Sequence, residues 1–159
     1  MKEEKALNII AGLCSKKEYC TQDVLTKLQK WELTEEAIRK ILDFLYRHQF
    51  VDDSRFAKAY AEDKFQFNHW GKQKIAMMLR QKNIPSDIVT AALESLNAQT
   101  YDETCLTLLK QKLATLPPEA SYRQKAKLIR FGLGRGFDYD TLHRCIGQLL
   151  SEEENSGDI

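Results

Sequence analysis

Helix breakers are scarce in this chain: glycine occurs 7 times and proline 3 times in 159 residues. Leu, Ala, Lys, Glu and Gln are abundant instead, and these side chains lose little rotamer freedom in a helix. No stretch alternates apolar and polar residues with period two over a useful length, so no strand is expected. Apolar runs all fall short of the roughly 18 residues that a membrane span requires. The N-terminus carries Glu3 and Glu4 where a signal peptide would be basic. A soluble, cytoplasmic protein with no membrane partner is expected. The 4 cysteines, Cys14, Cys20, Cys105 and Cys145, include no Cys-x-x-Cys pair and have no histidine at metal-ligand spacing. They are read as free thiols in a reducing compartment, with no metal and no cofactor.

Signatures of catalysis are missing as well. The segment GLGRG (132–136) follows no strand and is read as a turn between helices rather than a phosphate loop. His48, His69 and His143 are far apart in sequence. The paired carboxylates Asp52 and Asp53 are explained by a helix start, where they accept bonds from free first-turn amides and favour the dipole. The chain is read as a binding protein, not an enzyme.

What is present is a repeat. Residues 30–45 placed over 81–96, an offset of 51, align Leu33 with Ile84, Ile38 with Val89, Leu42 with Leu93 and Leu45 with Leu96. A further offset of 53 (84 to 137) brings Phe137, Leu142, Ile146 and Leu149 onto the same positions. Upstream, Val24 and Leu28 match Ile75 and Leu79, then Leu128 and, less well, Gly132. Apolar residues three and four apart describe amphipathic helices in pairs. A further helix precedes each pair, at about 3–14, 54–67 and 101–114. Thr34 and Asp138 are candidate caps, and Pro117 with Pro118 stops the helix before them. The expected fold is all-α: three tandem three-helix, helix-turn-helix-like repeats (1–49, 50–97, 98–150) in an elongated arrangement, followed by an acidic flexible tail (151–159).

Net charge is +1, but the tail holds 4 acidic and no basic residues, so the first 150 residues carry +5. From Lys64 through Ser86 there are five cations, Lys64, Lys72, Lys74, Arg80 and Lys82, and no acid. From Ser121 through Phe137 there are again five, Arg123, Lys125, Lys127, Arg130 and Arg135, and again no acid. One such run is what any solvated helix face shows. Its duplication at equivalent repeat positions points to a positive face for DNA, or for a protein assembled on DNA. Phe56, Tyr60 and Phe67 share one face of a helix and are read as core. Phe65 and Trp70 fit that face less well and are candidate aromatic contacts, stacking on a base or entering a partner groove.

The stretch FVDDSRFAKAYAEDKFQFNHWGKQKIAMMLRQKNIPSDIVTAAL (50–93) resembles the central segment of the RecX regulatory proteins. There an apolar residue and Asp-Asp-x-Arg-Phe-Ala open a helix, a basic stretch with glycine follows, and a second helix ends near Leu-x-x-Lys-Gly-Ile. The matching residues are Val51, Asp52, Asp53, Arg55, Phe56 and Ala57, then Gly71, Lys72 and Lys74, then Leu79, Lys82 and Ile84. KKEYCTQDVLTKL (16–28) is similar to the family's first-repeat signature, with Tyr19 and Cys20 in place of His-Ser and Asp23 in place of Glu; Trp31 and Asn83 stand where glycine is common. The resemblance implies a non-enzymatic, monomeric modulator of the RecA recombinase. Such a protein would lie in the groove of the RecA–single-stranded DNA filament, touching the DNA directly or through RecA, and inhibit strand exchange, ATP hydrolysis and SOS coprotease activity. The alternative is a tandem helix-turn-helix DNA-binding protein with no recombinase partner. Against it, the presumed second helices of the pairs begin with Glu35, Glu36 and Asp87, poor choices beside phosphates.

Overall fold

A computed structural model describes the backbone of residues 1–157 and the side chains of residues 1–151. Among the described residues there are nine α-helices and no strand: α1 (Glu3–Lys16), α2 (Thr21–Lys30), α3 (Glu35–Arg47), α4 (Asp53–Asn68), α5 (Lys72–Gln81), α6 (Ser86–Glu94), α7 (Ala98–Thr115), α8 (Ser121–Gly134) and α9 (Tyr139–Gly157). No helix among the described residues is long and apolar enough to cross a membrane. α7 starts three residues before the expected position because the Asn97 side chain accepts the Thr100 N–H at 2.9 Å and caps it there. α9 remains helical to Gly157, inside the segment expected as a flexible acidic tail. The side chains beyond Ser151, and residues 158–159 entirely, lie outside the described residues.

The turn between the second and third helix of each group has one recurring device. Glu32, Asn83 and Gly136 stand at equivalent repeat positions with φ of 53, 59 and 94°. Glycine enters this left-handed region freely and asparagine tolerates it, whereas an ordinary side chain such as Glu32 costs about 1–2 kcal/mol. The residue needing left-handed backbone in the first repeat is therefore Glu32, one position after Trp31. Caps then restart the chain: Thr34 Oγ1 accepts the Ala37 N–H at 3.1 Å and Asp138 Oδ2 accepts the Thr141 N–H at 3.0 Å. The GLGRG segment divides differently from expectation, since α8 runs through Gly134 and the turn begins at Arg135.

Contacts gather the helices into two compact units, residues 1–61 with 78–92, and residues 62–77 with 93–159. The division falls inside α4, α5 and α6, not at the repeat junctions. In the first unit Ala6, Ile10, Val24, Leu28, Ile41, Leu45 and Val51 form one buried cluster. In the second, the rings of Phe65, Tyr101 and Phe137 follow one another with centroids 5.5 and 5.2 Å apart. Leu109, Leu128, Leu142 and Ile146 are buried in the same unit.

Two glycines of the second unit permit close approach. Gly132 takes the repeat position of Leu28 and Leu79, and a Cβ on it would overlap the Leu142 side chain of α9. The weak point in the repeat pattern is thus a place where helices come together. At Gly71 a Cβ would fall inside the backbone of Gly136 and Phe137. The Gly71 N–H donates to the Arg135 carbonyl at 2.8 Å, and the Gln73 N–H donates to that of Gly136 at 2.9 Å. We expect Gly71→Ala to cost about 1–3 kcal/mol, the range for forcing atoms into a packed site. Gly12→Ala, in an exposed position of α1 with open space around it, should gain about 0.5–1 kcal/mol from helix propensity. Urea unfolding of the two variants checks both signs; a Gly71→Ala protein as stable as its parent would refute the close approach.

Candidate functional site

The Asp-Asp-x-Arg-Phe motif is architectural. Asp52 Oδ1 accepts the Arg55 N–H at 3.0 Å and caps α4. Asp53 accepts the Thr21 N–H at 2.8 Å and the Thr21 hydroxyl at 2.9 Å, tying the start of α4 to the start of α2. Arg55 Nε donates to Glu18 at 2.6 Å and its Nη2 donates to the Gln49 carbonyl at 3.1 Å. Phe56 is buried below them. At the N-terminus of α2 the Cys20 N–H donates to Asp23 Oδ2 at 3.3 Å, so Cys20 and Asp23 serve where Ser and Glu would form a capping box. Burial pushes the Cys20 thiol up to about 11.

Lys82 belongs to this framework: the acid-free run in sequence does not leave it without a carboxylate neighbour. Its ammonium donates to Asp23 Oδ1 at 2.9 Å and stands 5.7 Å from the Phe56 ring centre. Burial works to raise the Asp23 carboxyl, but hydrogen bonds from Lys82 and Cys20 outweigh it and the net shift is downward. For Lys82 burial lowers the ammonium while the Asp23 bond more than reverses this, and the net shift is upward. Nothing in the spacing of residues 59 positions apart announces such a pair.

The aromatic assignments of α4 are exchanged. Phe65 is 8% exposed, against Tyr101, whereas Phe67 is 71% exposed. At about 100° per residue Phe67 lies about 20° from Phe56 around the helix and Phe65 about 180°. A single continuous face therefore predicts the reverse. It fails because α4 up to Ala61 belongs to one compact unit and the remainder to the other, and the buried face moves accordingly.

Trp70 is half-buried in the turn after α4. The Lys74 and Lys64 ammonium groups stand 4.5 and 5.0 Å from its ring centre. Beside it the Lys72 N–H donates to the Tyr101 hydroxyl at 2.9 Å, and the Lys72 ammonium lies 4.8 Å from the Tyr101 ring. Burial pushes the Tyr101 phenol above its ordinary range. The Gly71–Arg135 hydrogen bond brings Arg135 to the same turn, its guanidinium carbon 6.0 Å from the Phe131 ring and its buried Nε without a partner among the described residues. Lys64, Trp70, Lys72, Lys74 and Arg135 thus converge on one pair of turns.

The α8 cations are of two kinds. Lys127 pairs with Glu119 at 2.6 Å; that acid lies two residues ahead of the acid-free run, so this cation is committed within the fold. Arg123 and Arg130 are exposed and Lys125 is half-buried. None of the three forms an ion pair among the described residues, and neither does exposed Arg80 in the first unit. Arg123 Nε donates instead to the Tyr122 hydroxyl at 3.3 Å, and cations without carboxylate partners leave a positive potential at the surface. The described residues hold no group of three His, Cys, Asp or Glu side chains able to hold a metal ion.

Two family models match: the second three-helix domain of RecX over residues 52–93 and the third over residues 99–146. The regulatory protein RecX of Prosthecochloris aestuarii is 30% identical over 147 residues, 92% of this chain and 95% of that protein. The chain belongs to the RecX family. Regulatory protein RecX of Clostridium botulinum (strain Eklund 17B / Type B) is also 30% identical, over 83% of this chain; here the match spans 62% of the relative's length. The crystal structure of RecX from Lactobacillus salivarius superposes with a TM-score of 0.87, covering 92% of this chain and 96% of that one at 22% identity, which shows a shared fold. Relatives that bear the RecX name are described as regulatory proteins.

Lys82 and Asp23 give this RecX-family chain a defined pH signature. Asp23→Asn should cost about 1.5–3 kcal/mol at neutral pH, the worth of a charged hydrogen bond. Because the folded carboxyl titrates below 3.8, its contribution is complete above that value and fades as the pH falls through the lowered one. The raised Lys82 value makes the ammonium's share complete below 10.5 and lost as the pH rises past it. Denaturant midpoints of parent and variant should therefore converge as the pH falls below 3.8. A gap unchanged from neutral pH to acid would remove this role from Asp23.

Proposed function

We propose that this chain is a monomeric cytoplasmic regulator of the RecA recombinase. It binds the RecA–single-stranded DNA filament and inhibits ATP hydrolysis, strand exchange and SOS coprotease activity. Membership of a family of regulatory proteins supports the class. The observation that carries the binding mode is the placement of the Lys64 and Lys74 ammonium groups over the Trp70 ring, with Lys72 against Tyr101 and Arg135 against Phe131 borne on turns held together by backbone hydrogen bonds. A rigid cationic turn pair with a half-exposed indole suits a flexible polyanion, since cations neutralise phosphates and an indole face accepts any base. Reading duplex DNA with inserted helices is disfavoured: α3, α6 and α9 each place an acidic residue in the first turn, at Glu35 and Glu36, Asp87 and Asp140.

The test is single-stranded-DNA-dependent ATP hydrolysis by the cognate RecA with this protein titrated against it. Inhibition is expected, and inhibition far below one per recombinase means capping of filament ends. No effect from folded protein would end the proposal. Lys64→Glu/Lys74→Glu should weaken filament binding about tenfold or more, two phosphate contacts being lost and reversed. Thermal unfolding should change little. The loss should shrink as salt rises, and binding that ignores both charge reversal and salt would exclude this cluster.

A further inference from the structure

The buried face of α8 carries Leu128 and Gly132, yet the helix has a second apolar stripe. Tyr122, Ala126, Ile129 and Leu133 recur at i, i+4, i+7 and i+11. At about 100° per residue they fall within an arc of about 60°. This stripe faces outward: Tyr122 is 69% and Leu133 49% exposed, Ala126 is exposed and Ile129 half-buried. An aromatic, two branched aliphatics and an alanine in register over three turns are costly to leave in water unless something covers them.

The flanks say what that is. Arg123 and Arg130 lie along one side of the stripe, about 80–100° from Tyr122 around the helix, and Lys125 lies about 60° to the other side. All three are without ion pairs among the described residues. Cations alone would suit DNA, but Ile129 and Leu133 offer nothing to phosphates. An apolar ridge between cationic borders is complementary to a helix whose apolar ridge is bordered by carboxylates.

We infer that the outer face of α8 docks an acidic amphipathic protein helix, leaving nucleic acid to the turn pair around Trp70. The inference rests on the proposed function, in which that helix is presented by recombinase subunits. It divides the cations between two partners: Arg123, Lys125 and Arg130 meet protein, while Lys64 and Lys74 meet DNA.

Two binding measurements on the full chain test this: co-sedimentation with RecA–single-stranded DNA filaments, and fluorescence anisotropy with a bare labelled oligothymidylate. Leu133→Asp should weaken filament binding about tenfold or more, as loss of a central apolar contact does, with oligothymidylate affinity unchanged. Arg123→Glu/Arg130→Glu should behave alike, and Leu133→Gln guards against a folding defect in the charged variant, with circular dichroism checking all three. Equal loss on filament and oligonucleotide would make the stripe part of a nucleic-acid face and overturn the inference. So would unchanged filament binding by folded Leu133→Asp. Failure of the unaltered protein to bind filaments would remove the functional reading itself, and this inference with it, before any variant is compared.

Discussion

The second compact unit depends on two turns meeting backbone to backbone. The Gly71 amide and the Gln73 amide bond to the carbonyls of Arg135 and Gly136, and the contact is possible because neither Gly71 nor Gly136 presents a Cβ to the other strand of the pair. Buried peptide groups must be paired, so each turn satisfies the other where no helix can. The consequence reaches side chains well outside the bonds themselves. With the turn before α5 fixed, Lys72 and Lys74 begin a helix at a defined place, Trp70 is held half-exposed, and Arg135 is delivered from the end of α8.

Cations that look alike in sequence are divided by the fold into two populations. Lys82 and Lys127 are hydrogen-bonded to Asp23 and Glu119 at 2.9 and 2.6 Å. Removing either partner would leave a half-buried charge exposed to its desolvation cost, which is the cost of breaking a pair rather than the net worth of having one. Lys72 and Lys74 lie against aromatic rings at 4.8 and 4.5 Å. A ring orients an ammonium without neutralising it, so the positive potential survives at the surface.

The all-helical class and the pairing of amphipathic helices were legible from apolar spacing, because i, i+3 and i+4 recurrence reports burial directly. Thr34 and Asp138 were legible as caps for the same local reason. What failed was whatever depended on the far side of a contact. Phe65 and Phe67 exchanged roles because α4 changes companions along its length. Lys82 and Lys127 counted as free because an acid-free run in sequence says nothing of Asp23 or Glu119 in space. Gly132 looked like a defect in the repeat until Leu142 was placed against it. In the candidate site, Trp70 with Lys64 and Lys74 was legible as residue types, but their convergence with Arg135 rests on the turn pair, which no periodicity encodes.

Helix electrostatics point the same way as the geometry. The N-terminus of a helix carries partial positive charge and is stabilised by acidic residues, each worth about 0.3–1 kcal/mol. α2 follows that rule with Asp23, as do α3, α6 and α9 with their own acids. α5 and α8 have none in the first turn. They open with Lys72 and Lys74, and with Arg123, cations set at the positive end of the dipole. The same repeat position is therefore built by the rule once and against it twice. A stretch that forgoes local stability is where a functional demand is expected, and a bound anion would recover that cost: it screens the cations, satisfies the dipole and uses the potential that the missing acids leave unopposed. On that argument the α2 start is settled within the fold, Asp23 being engaged by Lys82, whereas the α5 and α8 starts leave their positive ends without an acid.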